Sequence, residues 1–288
     1  MITKTKKSFH TIQKISLFCI CIALFSSCSS YKFEEISLSS YPQLKLKGKV
    51  KQVNANVKSY FVRKNNDTIF TNHQFELLFD KKKRLIQQNY IHLKTDRIDV
   101  SKFFYDKQGL HTKTEHSNNK DSVVFGEIYR YDPNGFLIET RDLDAQVKLI
   151  RKNDAKGNPV EIIYPNHNYH NYTVKEIFTN DYKNRTVKYQ SIDKTGVPDY
   201  DFYELRYFDE KGREIKHQYS DSKAYNITEY DKMGYITKKE KVDENGNSKI
   251  ENYKNSYDNK GNILKREMLN CNKRCETITY EYFFYDKQ

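Results

Sequence analysis

From Leu44 onward no long window carries an apolar stripe at the 3.6-residue helical period. The chain alternates instead in short runs rich in Tyr, Phe, Ile, Val and Thr, cut by clusters of Asp, Asn and Gly. Phe125–Tyr131 (FGEIYRY), Asp201–Phe208 (DFYELRYF) and Glu276–Tyr285 (ETITYEYFFY) are examples. Alternation with a period of two puts successive side chains on opposite faces of a pleated strand. The pattern predicts an all-β fold, an antiparallel meander of repeated β-hairpins forming one long, curved or closed sheet. Period and typical strand length give roughly 16–20 strands, and so many twisted strands curl or close.

The breaks between strands repeat. Aligned on an aspartate, they read Phe79-Asp80 with Lys83, Tyr105-Asp106 with Gly109, Tyr131-Asp132 with Gly135 and Asn153-Asp154 with Gly157. The series continues with a degenerate Asn180-Asp181 with Asn184, then Phe208-Asp209 with Gly212, Tyr230-Asp231 with Gly234, Tyr257-Asp258 with Gly261 and an unfinished Tyr285-Asp286. Steps between aspartates run from 22 to 28 residues, enough for two strands and two turns. An aspartate opening a type I turn accepts backbone N–H groups further along, and the fourth residue takes a positive φ to resume pairing as a bulge. Gly meets that demand at no steric cost, and Asn184 is the expected substitute. Lys83 breaks the rule and predicts a longer or irregular first turn. The hexapeptide FFYDKQ occurs at Phe103–Gln108 and again at Phe283–Gln288, which reads as an array stopping at a repeat boundary with no effector domain after it. The aromatic before each aspartate, and the apolar residue after each turn, are expected to stack along one face.

The recurring Tyr-Asp-x-x-Gly, closest at Tyr129–Gly135 (YRYDPNG), resembles the YD repeat of bacterial Rhs-type envelope proteins. Leu44–Val53 (LKLKGKVKQV) is similar to the entry strand of small exported YD-repeat lipoproteins. The resemblance covers roughly residues 44–288. It implies the sheet and an envelope setting, and it raises the alternative of an immunity or delivery accessory in contact-dependent competition. The Arg that often follows the glycine appears only at Arg213 and, in irregular copies, at Arg84 and Arg185. No self-cleavage motif of the large Rhs shells is visible.

The first 43 residues have a different texture. Lys4, Lys6, Lys7 and Lys14 precede an apolar run, Ile15–Phe25, that is short for a membrane span. Ser26-Ser27-Cys28 follows and resembles a lipobox, with Phe25 where Leu is usual. The expected division is a signal peptide over 1–27, lipidation of Cys28, a serine-rich tether over 28–43 and one domain over 44–288. The alternative is an ordinary signal peptide with an incidental cysteine. Without residues 1–27 the chain keeps 46 basic and 38 acidic residues, so its charge falls from +12 to +8. The basic residues are spread among acids, which reads as a solvated surface and not as a nucleic-acid face. Cys271 and Cys275, the remaining cysteines, are either a hairpin disulfide or two free thiols.

Candidate chemistry is sparse. The repeated aspartates sit in equivalent turns, whereas catalytic carboxylate pairs need unlike environments. His167, Tyr169 and His170, in YPNHNYHNY, lie in the longest break of the repeat; the stretch reads as a variable turn extended by polar residues ahead of a histidine metal site, and it is the first candidate for a binding loop if the protein has a specific site. No HExxH, GxSxG or glycine-rich phosphate loop occurs, so neither metal nor cofactor is expected. The resulting expectation is an outer-membrane lipoprotein, held to the membrane by its lipid. It would act as a non-enzymatic binding or structural module for an envelope glycan or protein partner.

Overall fold

The computed structural model describes residues 44–286 other than 64–65, 121–123, 166–172, 194–202 and 272–273. Cys28, His167, Tyr169 and His170 therefore lie outside the described residues. Eighteen strands and no helix occur among those described. They are β1 (Val50–Val62), β2 (Thr68–Phe79), β3 (Leu85–His92), β4 (Arg97–Tyr105), β5 (His111–Asn118), β6 (Phe125–Tyr131), β7 (Leu137–Asp142), β8 (Val147–Asn153) and β9 (Pro159–Ile163). The second half comprises β10 (Thr173–Asp181), β11 (Thr186–Asp193), β12 (Glu204–Phe208), β13 (Glu214–Tyr219), β14 (Tyr225–Tyr230), β15 (Ile236–Val242), β16 (Ser248–Tyr257), β17 (Ile263–Met268) and β18 (Arg274–Phe284). Each strand pairs antiparallel with its sequence neighbours. β18 also pairs with β1, from Val50↔Phe284 to Phe61↔Arg274, so the meander closes into a barrel without edges.

Alternation gives the wall two characters. Val53, Ala55 and Val57 of β1, Phe75 and Leu77 of β2, and Ile278 and Tyr280 of β18 share one buried face, the inside of the ring. The outer face carries Gln52, Asn54, Asn56 and Lys58 on β1 and charge ladders elsewhere. Arg130 and Arg141 flank Glu139, Lys152 and Lys175 flank Glu161, and Lys238 meets Glu229 and Glu240. Outward apolar residues such as Ile150 and Ile250 pair directly with Glu139 and Glu240. Apolar and charged positions thus interleave at these places on the outer wall.

The aspartate turns all lie at one rim, joining β2 to β3, β4 to β5, and so on to β16 and β17. Their chemistry is uniform. Asp132 Oδ1 accepts the N–H groups of Asn134 (2.9 Å) and Phe136 (2.8 Å), and Gly135 N–H closes the turn onto Asp132 O at 2.9 Å. Gly135 has φ 81°, and the ladder shifts register between Arg130 and Tyr131 as the bulge requires. At Gly157, φ 82°, a Cβ would meet the Phe136 ring at 2.4 Å, so space as well as conformation favours glycine. Two expectations need correction. Lys83 adopts φ 65° in an ordinary turn, because Asp80 accepts from Lys82 and Arg84 N–H and its other oxygen holds the Arg84 side chain. In the degenerate copy the positive φ (55°) falls on Arg185 and not on Asn184, so that turn is one residue longer.

The residue before the aspartate does more than pack. Tyr105, Tyr131 and Tyr230 donate their hydroxyls to the carbonyls of Leu85, His111 and Glu214 at 2.8, 2.7 and 2.9 Å. Asn153 and Asn180 do the same to Leu137 and Pro159. In these five cases the acceptor lies five residues after the preceding copy's aspartate, so each of these copies locks onto the turn before it, whereas Phe208 reaches back only through its backbone N–H, to Arg185 O. At the end of the array, Tyr285 donates to Phe79 O at 2.7 Å and ties the last copy to the first.

The dry core is concentrated at the closure. Val50, Val53, Ala55, Val57, Phe75, Leu77, Phe79, Tyr235, Ile263, Ile278 and Tyr280 form one buried cluster. Residues 44–49 reach it across the rim: Leu44 and Leu46 pack on it, and Lys45 and Lys47 N–H groups bond to Tyr235 Oη and Asn262 Oδ1. A second, smaller cluster joins Val187 and Phe208 to Phe178 and Tyr182. Each fully buried aliphatic or aromatic side chain contributes about 1.5–3 kcal/mol.

Candidate functional site

Five of the eight histidines fall on described strands: His73, His92, His111, His116 and His217. All five have their rings on the inner face, among aromatic and acidic side chains. They belong to two patches of the inner wall.

The first patch spans β2 to β6. The His73 ring lies 5.2 Å from Tyr90, which meets His92 edge-on at 4.2 Å. His92 Nε2 lies 2.8 Å from Asp99 Oδ2, while Arg97 donates to Asp99 Oδ1 at 2.7 Å. Further along, Ser101 Oγ and His116 Nδ1 are 2.8 Å apart, and His116 stacks on Phe125 at 5.0 Å. Thr114 bridges His111 and Tyr129, and Tyr129 donates to Glu127. Burial lowers the pKa of His73, His111 and His116, which keeps these rings neutral and available as donor and acceptor at neutral pH. Burial works against the Asp99 charge, but the His92 and Arg97 hydrogen bonds outweigh it and hold Asp99 below its ordinary value.

The second patch spans β10 to β13 and contains three glutamates in unlike settings. Burial raises the Glu176 pKa, despite hydrogen bonds from Tyr164 and Tyr189, the latter at 3.1 Å. Burial likewise raises Glu214, whose Oε2 is enclosed without a hydrogen-bond partner. Glu204 sits between Arg206 (3.0 Å) and His217 (3.1 Å); burial opposes its charge, yet those partners lower its pKa. Tyr189 is pushed up to about 12, first by burial, and remains a hydroxyl donor. Two carboxyls that burial pushes toward the neutral form, one that its partners hold toward the charged form, phenols and aromatic faces thus adjoin on neighbouring strands. Such a surface offers donors, acceptors and stacking planes together.

The repeat-turn aspartates are elsewhere, at the rim, and are occupied. Asp154 accepts from Tyr182 and Asn180, and Asp231 from Tyr257 and Asn255, besides their turn N–H groups. Cys271 and Cys275 are joined by a disulfide in the β17–β18 hairpin, their Cα atoms 4.8 Å apart. Among the described residues no three His, Cys, Asp or Glu side chains are grouped to hold a metal ion. No motif in the sequence marks either inner patch. A usable signal existed: His73 and Phe75, like Tyr90 and His92, recur at the alternate spacing that shares one strand face.

Fold and interior together define a closed antiparallel barrel with a polar–aromatic inside and a charged outside. No protein-family profile and no curated protein matches the chain. Among solved structures it is similar to a porin-like protein from Bacteroides uniformis, with 9% identity over 83% of this chain and 99% of that one, TM-score 0.42. It is also similar to part of a TcdB2-TccC3-Cdc42 complex (13% identity, 71% of this chain, TM-score 0.30), of which it spans 14% of the matched chain. A LolA superfamily protein from Nitrosomonas europaea aligns with 11% identity over 84% of this chain and 88% of that one, TM-score 0.26.

Proposed function

We propose that the protein is an exported envelope lipoprotein, anchored through Cys28, whose barrel binds an envelope glycan on its inner wall without turning it over. The carrying observation is the contrast between faces: phenol, imidazole and carboxyl groups are gathered inside, while the outside is laced with ion pairs. Aromatic planes stack on the apolar faces of sugar rings, and the neutral histidines and split carboxyls suit ligands whose hydroxyls both donate and accept. The charged outer wall favours membrane attachment by lipid over insertion of the barrel. The recurring turns support reading the array as a relative of YD-repeat envelope proteins.

A glycan array probed with the Cys28→Ser protein tests the binding, and fractionation of cells tests the anchor. Saturable binding to a set of saccharides and release of Cys28→Ser from membranes are expected. Loss of neither membrane association nor localisation in Cys28→Ser would remove the anchor. Hydrolysis of a bound saccharide, abolished by Glu176→Gln or Glu204→Gln, would replace binding by catalysis. Recovery of a toxin domain from solubilised envelopes, with no saccharide bound, would favour the competition accessory.

A further inference from the structure

The inner wall over β15–β18 holds positive charge that the protein leaves without a contacting acid. Arg266 of β17 is 8% exposed, its guanidinium lies 4.1 Å over the Tyr253 ring, and its Nε has no hydrogen-bond partner. It forms no ion pair with any described residue. On β18, two residues beyond the Ile278 that pairs with Arg266, Tyr280 is 6% exposed and its hydroxyl is also without a partner. Lys239 of β15, opposite Glu251 in the ladder, faces the same side and likewise makes no ion pair. Burial of its surroundings, and next the Arg266 charge, lower its pKa against the opposing pull of Glu251 and Glu276, neither of which it contacts, and the residue itself remains exposed inside the open ring.

The acids nearby are engaged elsewhere. Glu251 accepts the Tyr253 hydroxyl at 2.7 Å and pairs with Lys249 at 3.3 Å, and Glu276 pairs with Arg274 at 3.4 Å. An enclosed guanidinium without a counter-ion disfavours folding, and a buried phenol without an acceptor adds to that cost. One group would relieve all three: an oxyanion, which accepts in two directions from arginine and again from a phenol and an ammonium.

We propose that Arg266, Tyr280 and Lys239 form an oxyanion site inside the barrel, which receives a carboxylate or phosphate carried by the bound saccharide. This deepens the glycan-binding reading and rests on it for the ligand's identity. An acidic sugar would anchor its charged group on β15–β18 and lay its rings along the aromatic wall.

The test uses the Cys28→Ser protein, with thermal unfolding and calorimetric titration against inorganic phosphate, cellobiose and cellobiouronic acid. Phosphate is expected to raise the wild-type melting temperature, and the acidic disaccharide to bind roughly tenfold tighter than the neutral one. Arg266→Met is expected to melt no lower than wild type in the absence of anions. It should lose both the phosphate shift and the acidic preference while keeping affinity for cellobiose. Lys239→Gln, at the solvent side of the site, should lose part of each effect. A response to phosphate alone identifies a phosphorylated ligand, and a response to the uronic acid alone identifies a carboxylated one. An undiminished phosphate shift in Arg266→Met would mark general charge screening and overturn the site. Equal binding of both disaccharides with no phosphate shift would overturn it too, yet leave the glycan reading standing. A phosphate shift lost in Arg266→Met, with no saccharide bound, would retain the site and remove the glycan.

Discussion

The closure strands β1, β2, β17 and β18 and the wall from β3 to β13 are built from the same hairpin unit, yet their inner faces differ. At the closure Val53, Ala55, Val57, Ile263 and Ile278 exclude water and pack as a core. Along the wall the corresponding positions hold His92, Asp99, His116, Glu127, Glu176 and Glu204, half-buried and hydrogen-bonded. Non-local pairing costs loop entropy, and the β1–β18 pairing joins residues more than 200 positions apart. Apolar burial is spent where that cost falls, and the wall, closed at each step by a local turn and at most steps by a tyrosine or asparagine lock, is left free to carry polar chemistry.

That contrast makes ordered predictions. Ile263→Ala, in the closure core, is expected to lose about 2–5 kcal/mol in denaturant unfolding, against less than ~1 kcal/mol for Ile150→Ala on the outer wall. Equal losses would erase the distinction between the regions. Asp231→Ala removes the acceptor of a turn N–H, of Tyr257 and of Asn255, and should lose about 1–2 kcal/mol. Asp243→Ala, whose turn at the opposite rim serves only itself, should lose less. Tyr131→Phe removes one lock to the preceding turn and should lose about 1 kcal/mol; an unchanged midpoint would reduce the tyrosine to packing.

The pH dependence separates the regions further. Burial opposes the Asp231 charge but its hydrogen bonds prevail, so its pKa is lowered. The stability it contributes is present above the ordinary carboxylate range and is lost as pH falls through its folded value. Glu214 is raised by burial, so its contribution is present at acid pH and is lost as pH rises through its folded value. Glu214→Gln should therefore match wild type near the ordinary carboxylate pKa and melt higher at neutral pH. A lower melting temperature at pH 7 would show that the glutamate is held charged.

Much of the architecture is legible in the residues, and the reasons are local. Asp132, Pro133 and Gly135 prescribe a turn whatever surrounds them, and alternation in Phe125–Tyr131 prescribes the strand that feeds it. The turn at Asp142–Gln146 is less legible, since Ala145 takes φ 64° where glycine would announce it. Lys83 is similar: the Asp80 carboxylate, by holding both backbone and Arg84, stabilises a conformation its sequence disfavours. Closure leaves no local trace, because Val57 and Ile278 meet only through the whole circuit. The inner patches are hidden for a related reason. Each bulge at the motif rim shifts register, so which alternate residues face inward must be recounted from strand to strand.

On the proposed function, recognition belongs to the inner wall. The most direct measurement is a calorimetric titration of one array-identified saccharide against three proteins: Cys28→Ser alone, the same with Tyr129→Ala on the inner face, and the same with Phe104→Ala on the outer face. At least tenfold weaker binding is expected for Tyr129→Ala and unchanged affinity for Phe104→Ala, with both variants folded by circular dichroism. Retained affinity in Tyr129→Ala together with loss in Phe104→Ala would contradict it, and would move the binding surface to the outside of the barrel.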